Sequence, residues 1–197
     1  MKIYLIRHGE TDWNVQGRLQ GREDIPMNEN GILQAKQCGQ ALERVKFGAI
    51  ISSPLSRAIR TAEIIAEHNG ITKIIIEEDL TERDFFKLSG LTYKERDAFF
   101  ATGQEAGIEL KEVLYNRMMA CIRKYAEIHQ NEDNIAMISH GAAINAVLTK
   151  MSEDGKEFRN TILKNTCINV IDSQNGNFKV ELYNLSPEEY INNSIDK

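Results

Sequence analysis

Ile3-Tyr4-Leu5-Ile6-Arg7-His8-Gly9 opens the chain with four apolar residues, followed at once by a cation, an imidazole and a glycine. A short apolar run of this kind reads as a strand, and such runs alternate along the chain with helical patterns, as in an α/β fold. Further strand candidates are residues 48–52, the isoleucine-rich 73–77, and 134–139. Residues 166–171 and 178–185 flank Asn175-Gly176, a hairpin signal. Between the strands, Ala35, Cys38, Leu42 and Val45 share one helical face, and Leu55, Ala58, Ile59, Ala62 and Ile65 share another. Leu114, Met118, Cys121, Tyr125 and Ile128 line a helix over residues 109–128, and Ile144, Val147, Leu148 and Met151 line one that opens at His140-Gly141. Ser53 is expected to cap the second of these helices, with Pro54 in its first position. Residues 83–108 lack clean periodicity and read as loop and short helix; the polar tail from Ser186 is expected to fray.

At 197 residues the chain suits a single domain, residues 1–197, with a core of its own. A formal charge of −5 gives no footing for nucleic-acid binding, which wants a basic surface. Cys38, Cys121 and Cys167 build neither a disulfide framework nor a zinc site. The first apolar run is too short for a signal peptide, and nothing approaches a membrane-spanning run. A cytoplasmic protein without nucleic-acid or membrane partners is expected; oligomeric state stays open, a homodimer included.

Four strand candidates each finish beside a residue suited to phosphate chemistry: Arg7 with His8, then Arg57, Glu82 and His140. Ligands of open α/β sheets bind at the carboxyl ends of the strands, so these residues, far apart in sequence, are expected to converge. Cations near helix N-termini favour an anion there. The glycine after each histidine lets the backbone turn sharply, and is expected to let its carbonyl reach one imidazole nitrogen and leave the other free to attack. Singly, each residue has a plainer explanation. A histidine ending a strand is more often structural, His140 suits a helix cap, Arg57 suits a surface ion pair, and Glu82 sits in an acidic cluster typical of a solvated turn. His68 and His129, near predicted helix ends, carry no functional expectation. Cys38 to Arg44 has the spacing of cysteine phosphatases, but it runs through a helix whose N–H groups are already bonded, with Cys38 toward the core.

Leu5-Ile6-Arg7-His8-Gly9-Glu10-Thr11-Asp12-Trp13-Asn14 resembles the signature of the histidine phosphatases, a family that includes the cofactor-dependent phosphoglycerate mutases. The resemblance continues through Gly17-Arg18-Leu19-Gln20-Gly21, Ser52-Ser53-Pro54-Leu55-Ser56-Arg57-Ala58, Leu80-Thr81-Glu82 and Ser139-His140-Gly141-Ala142. It implies a three-layer α/β/α sandwich with a mostly parallel central sheet and helices on both faces. It also implies a phosphoryl-transfer enzyme acting on a small phosphorylated metabolite, with no metal and no cofactor. By position, His8 would be the nucleophile, Arg7, Arg57 and His140 would grip phosphoryl oxygens, and Glu82 would be the proton donor. Asn14, Gln20, Gly21 and Ala142 would contact substrate. Two stretches depart from the family's pattern: Phe86-Lys87-Leu88-Ser89-Gly90 replaces a Gly-x-Trp-Glu-Gly-like segment, and residues 101–112 match loosely, with Glu109 in the place of the usual glutamate. Both lie where substrate is chosen.

The expected activity is phosphatase, with mutase the nearest alternative and a non-catalytic binding relative a distant one. Mutases of the family resemble longer chains with an inserted basic segment, and between Glu82 and Glu109 this chain has Arg83, Lys87, Lys94 and Arg96 but no such insertion. A metal site built from His8, His140 and Glu82 is disfavoured because the adjacent arginines repel a cation.

Overall fold

The computed structural model describes residues 1–131, 134–152 and 161–195. Six strands, β1 (Lys2–Arg7), β2 (Ala49–Ser52), β3 (Ile74–Ile76), β4 (Asn134–Ser139), β5 (Ile168–Gln174) and β6 (Asn177–Leu185), form one sheet in the order β3-β2-β4-β1-β5-β6. The first four in that order run parallel, while β5 lies antiparallel to β1 and to β6. The β5–β6 turn places Asn175 and Gly176 at φ 51° and 78°, the doubly left-handed geometry that matches hairpin twist.

The helices are α1 (Asp12–Val15), α2 (Glu29–Ala41), α3 (Ser56–Asn69), α4 (Tyr93–Ala101), α5 (Lys111–Ile128), α6 (Gly141–Met151) and α7 (Pro187–Ile195), with single 3-10 turns at Glu78–Leu80 and Phe86–Leu88. Because strand side chains alternate between faces, Ile3, Leu5, Ile51, Ile135 and Met137 pack beneath α5 and α6. Tyr4, Ile6, Ile50, Ala136 and Ile138 pack beneath α2, α3 and α7. Both faces of the sheet are therefore covered, which is why its inner strands read as unbroken apolar runs. The result is the expected three-layer α/β/α sandwich.

Four local expectations are corrected. Helix α3 begins at Ser56, and Leu55 occupies the cap position without a side-chain bond. Asp24, from a distant loop, accepts the Ser56 N–H at 2.7 Å, leaving the Ser53 hydroxyl for another partner. Helix α5 starts at Lys111, and Ile128, its last residue, is 61% exposed and does not join the buried stripe. Strand β5 starts at Ile168, since Thr166 turns left-handed at φ 52°. The tail does not fray over residues 187–195. The Ser186 hydroxyl accepts the Glu189 N–H at 3.2 Å while Glu189 accepts the Ser186 N–H at 2.7 Å, a reciprocal cap that starts α7 with Pro187 in its first turn. Residues 196–197 lie outside the described residues.

Tyr190 anchors α7 by burying its ring beside Tyr4, with the two hydroxyls 3.1 Å apart. Tyr190→Ala is expected to lower stability in urea denaturation by about 3–5 kcal/mol, as loss of a buried aromatic ring does. Tyr190→Phe should lower it by only about 1 kcal/mol, the worth of one hydrogen bond. Equal effects from both variants would contradict this packing.

Candidate active site

Strand pairing builds the site. Arg7 stands opposite Ser139 at the end of the β1–β4 ladder, and the ladder extends by one bond as the His8 N–H donates to Ser139 O at 3.0 Å. On the other side of β4, the Ser53 N–H donates to Ile138 O at 3.0 Å, so β2 ends at the same level. His8, His140 and the start of α3 thereby meet at the carboxyl edge of three adjacent parallel strands.

His8 is 2% exposed, and its Nδ1 lies 2.7 Å from its neighbour's carbonyl, Gly9 O. Nδ1–H donates there, which leaves the Nε2 lone pair without a competing proton. Gly9 has no room for a side chain: a Cβ would fall 2.4 Å from Gly31 O and 2.5 Å from Met27 Sδ. Its N–H donates to Thr61 Oγ1 at 3.1 Å, tying the turn to α3. At His140 the expected glycine-carbonyl contact is absent. Its Nε2 lies 2.8 Å from Ser53 Oγ, and Nδ1 is buried without a partner among the described residues. The two imidazoles lie 5.1 Å apart between centroids.

Both arginines are tethered by backbone oxygens. Arg57, fully buried, donates from Nη1 to Glu23 O at 2.6 Å and from Nη2 to Gly21 O at 2.9 Å. Arg7 donates from Nη1 to Leu163 O. The Nε of each is buried and unpartnered among the described residues, the condition of a site with anion-binding capacity to spare. Burial pulls the Arg57 guanidinium down to about 10, despite Glu82 and Asp24 nearby. Burial first, then Arg57 and Arg7, hold the His8 imidazole well below its usual value of 6.5. His140 is lowered in the same way, by burial and then by Arg57, His8 and Arg7.

Glu82, 8% exposed, is turned in from the acidic cluster onto the start of α6. Its Oε1 accepts the N–H groups of Arg83 at 2.8 Å and Ala143 at 2.9 Å; Oε2 accepts only that of Ala142, at 3.1 Å. Oε2 therefore keeps the more open lone pair, the one free for a further hydrogen bond. Glu77, by contrast, stays at the surface, where bonding to Lys124 holds its carboxyl below the usual range.

A cavity of about 930 Å³ is lined by Arg7, His8, Asn14, Gln20, Gly21, Arg57, Glu82 and Ala142, so eight of the nine sequence candidates meet there. His140 is fully buried and is not one of the lining residues, but its ring adjoins that of His8, which is. Cys38 is buried in α2, its thiol pushed up by desolvation, far in character from a reactive cysteine. His68 packs on Gly39 and His129 stacks on Tyr125.

Three contributors were not foreseen. Asn165 Nδ2 donates to His8 O and to Asn14 Oδ1, each at 3.2 Å. Thr11 also bonds Asn14 Oδ1 through its N–H at 3.1 Å and its hydroxyl at 3.2 Å, so the Asn14 amide can offer only its NH₂ elsewhere. Arg117 of α5 donates to the carbonyls of Asp79, Thr81 and Glu82 at 2.7, 2.8 and 3.0 Å. Glu109 grips Arg117 Nε at 2.9 Å and accepts the Asp84 N–H at 3.1 Å, so it braces the Glu82 segment from outside the cavity. Among the described residues, no group of three His, Cys, Asp or Glu side chains is placed to hold a metal ion. No helix among them is long and apolar enough to cross a membrane.

The family model of the histidine phosphatase superfamily (branch 1) matches residues 3–186. The chain is 35% identical over 184 residues to the uncharacterized phosphatase PhoE of Bacillus subtilis (strain 168), covering 93% of this chain and 94% of that one. It is 33% identical over 186 residues to the probable phosphoglycerate mutase GpmB of Salmonella choleraesuis (strain SC-B67), covering 88% and 86%. Phosphoserine phosphatase from Entamoeba histolytica, solved in complex with 3-phosphoglyceric acid, superposes with a TM-score of 0.80 at 29% identity, over 96% of this chain and 98% of that one.

Two histidines buried neutral make stability depend on pH in a defined direction. Below the ordinary value of 6.5 the unfolded chain takes up protons that folded His8 and His140 refuse, so stability falls as pH falls. Between about pH 6.5 and 5, urea titrations should show a decline approaching roughly 1.4 kcal/mol per pH unit for each histidine. His140→Asn should roughly halve that slope. A stability that rises toward pH 5 would contradict the assignment.

Proposed function

The chain belongs to the histidine phosphatase superfamily (branch 1), and from that premise we propose that it is a metal-independent phosphatase acting on a small phosphomonoester through phosphohistidine at His8. The observation that carries this is a neutral imidazole, oriented by Gly9 O, in a cavity lined also by the fully buried Arg57 and the half-buried Arg7. In the first step His8 Nε2 attacks phosphorus in line and the P–O bond to the alcohol breaks. Glu82, protonated at Oε2, gives its proton to that departing oxygen. Arg7 and Arg57, with Asn14 Nδ2, hold the equatorial oxygens, where charge sits in the transition state. Water then attacks the phosphohistidine, Glu82 takes its proton, and inorganic phosphate leaves with His8 restored. The arginines supply the positive charge that a metal would otherwise bring.

The substrate carries a second acidic group. Arg83, Arg96 and Lys111 line the same cavity, and none forms a salt bridge among the described residues, although Arg83 feels the charges of Glu109 and Glu82. Arg96 lies 3.9 Å above the Tyr93 ring and Arg83 5.7 Å from that of Phe85, and both rings also line the cavity, which steadies the two guanidinium groups there. The same cations favour phosphoglycerate mutase as the second reading, in which the phosphoryl group returns to substrate instead of passing to water.

Purified protein incubated with 3-phosphoglycerate, a trace of 2,3-bisphosphoglycerate and, separately, a panel of phosphomonoesters should release phosphate. Esters bearing a carboxylate should show lower KM than neutral ones, a difference that shrinks in Arg83→Gln or Arg96→Gln. His8→Ala should lower turnover at least about a thousandfold. Glu82→Gln should lower it by roughly 10²–10⁴, most for poor leaving groups. Formation of 2-phosphoglycerate with little phosphate release would make the enzyme a mutase. Loss of activity in EDTA, restored by a divalent ion, would overturn the metal-independent mechanism.

A further inference from the structure

Ser53 and His140 form a fully buried pair whose hydrogen bond has two possible directions, and the direction decides what His140 presents to the site. Ser53 Oγ already accepts the Leu55 N–H at 3.4 Å. The hydroxyl has one proton to place, and within hydrogen-bond reach among the described residues the acceptor for it is His140 Nε2, at 2.8 Å. Were Nε2 to donate instead, Ser53 would accept twice and its own proton would be stranded in the core. We propose that Ser53 is a positioning residue that fixes His140 as its Nδ1–H tautomer, so that an N–H and not a lone pair is turned toward the phosphoryl oxygens held beside His8.

The choice matters because His140 has only one ring proton to use. Burial and the nearby arginines keep it neutral, so a proton on Nε2 would be spent on Ser53 and would leave Nδ1 a lone pair facing an anion. Nδ1 is the ring nitrogen that lacks a partner among the described residues, and the His8 ring centroid is 5.1 Å away. Both histidines are then Nδ1–H tautomers put to opposite uses. His8 spends its N–H on Gly9 O and keeps a lone pair for phosphorus; His140 spends its lone pair on Ser53 and keeps an N–H for oxygen. The sequence block that supplies Arg57 thus also supplies the residue that sets the second imidazole.

The part of this inference concerning phosphoryl oxygens rests on the phosphatase reading; the tautomer does not, and it is tested without substrate. Protein labelled with 15N-histidine is examined by long-range 1H–15N correlation at neutral pH, with the His140 signals identified by their loss in His140→Asn. Wild type should show Nδ1 protonated and Nε2 bare. Ser53→Ala should move proton population to Nε2 and lower kcat for a phosphomonoester by about tenfold or more. Ser53→Thr, which keeps the hydroxyl, should keep the wild-type tautomer. Nε2–H in wild type, or an unchanged tautomer in a folded Ser53→Ala protein, would overturn the proposal. Failure of the phosphatase reading would look different: no turnover from wild type, with the Nδ1–H signature intact.

Discussion

Arg7 and Ser139 face each other at the last rung of the parallel β1–β4 ladder, and the backbone of His8 adds one more bond to the same strand. The positions of the other groups follow from that rung. β4 ends there, so His140 and the start of α6 must come next to His8; β2 pairs with β4 on its other side, so Ser53 and α3 arrive at the same edge. Glu82 is then caught by the first N–H groups of α6. Had the strands been antiparallel, these carboxyl ends would have pointed in opposite directions and no common site would form.

Concentrating two guanidiniums and two imidazoles in the interior carries a desolvation penalty of several kcal/mol per uncompensated ion. The chain offsets it with carbonyl oxygens in place of carboxylates: Gly21 and Glu23 for Arg57, Leu163 for Arg7. Carbonyls satisfy donors without cancelling charge, so the site keeps a positive field for an anion; burial first, and then that field, holds both histidines neutral. In the proposed mechanism, nucleophile and anion grip are therefore two consequences of one arrangement. Glu82 is the carboxylate among the cavity residues named for chemistry, and Arg117 with Glu109 keeps its segment in place from behind.

Much of this was legible in the sequence because it is local. The run at residues 3–6 announces β1, the Arg7-His8-Gly9 turn follows directly, and Asn175-Gly176 marks its hairpin without outside help. What stayed hidden depends on partners distant along the chain. Asn165 reaches His8 and Asn14 across about 150 residues, and nothing in Lys164-Asn165-Thr166 signals it. Arg117 lies beside the apolar stripe of α5 and looks like a surface residue until the Glu82 segment packs over it. Ser53 was assigned to a cap that Asp24 makes redundant. The tail is a different case: Ser186-Pro187-Glu188-Glu189 carries a local helix start, and its polar composition masked the single buried ring at Tyr190.

The central claim is that the phosphoryl group passes through His8. Wild-type protein mixed with a 32P-labelled phosphomonoester and quenched in alkali within one turnover should carry protein-bound label that is stable to base and lost in acid. Digestion should place it on the peptide containing His8. Turnover with no protein-bound phosphate, or label on any other residue, would contradict the account.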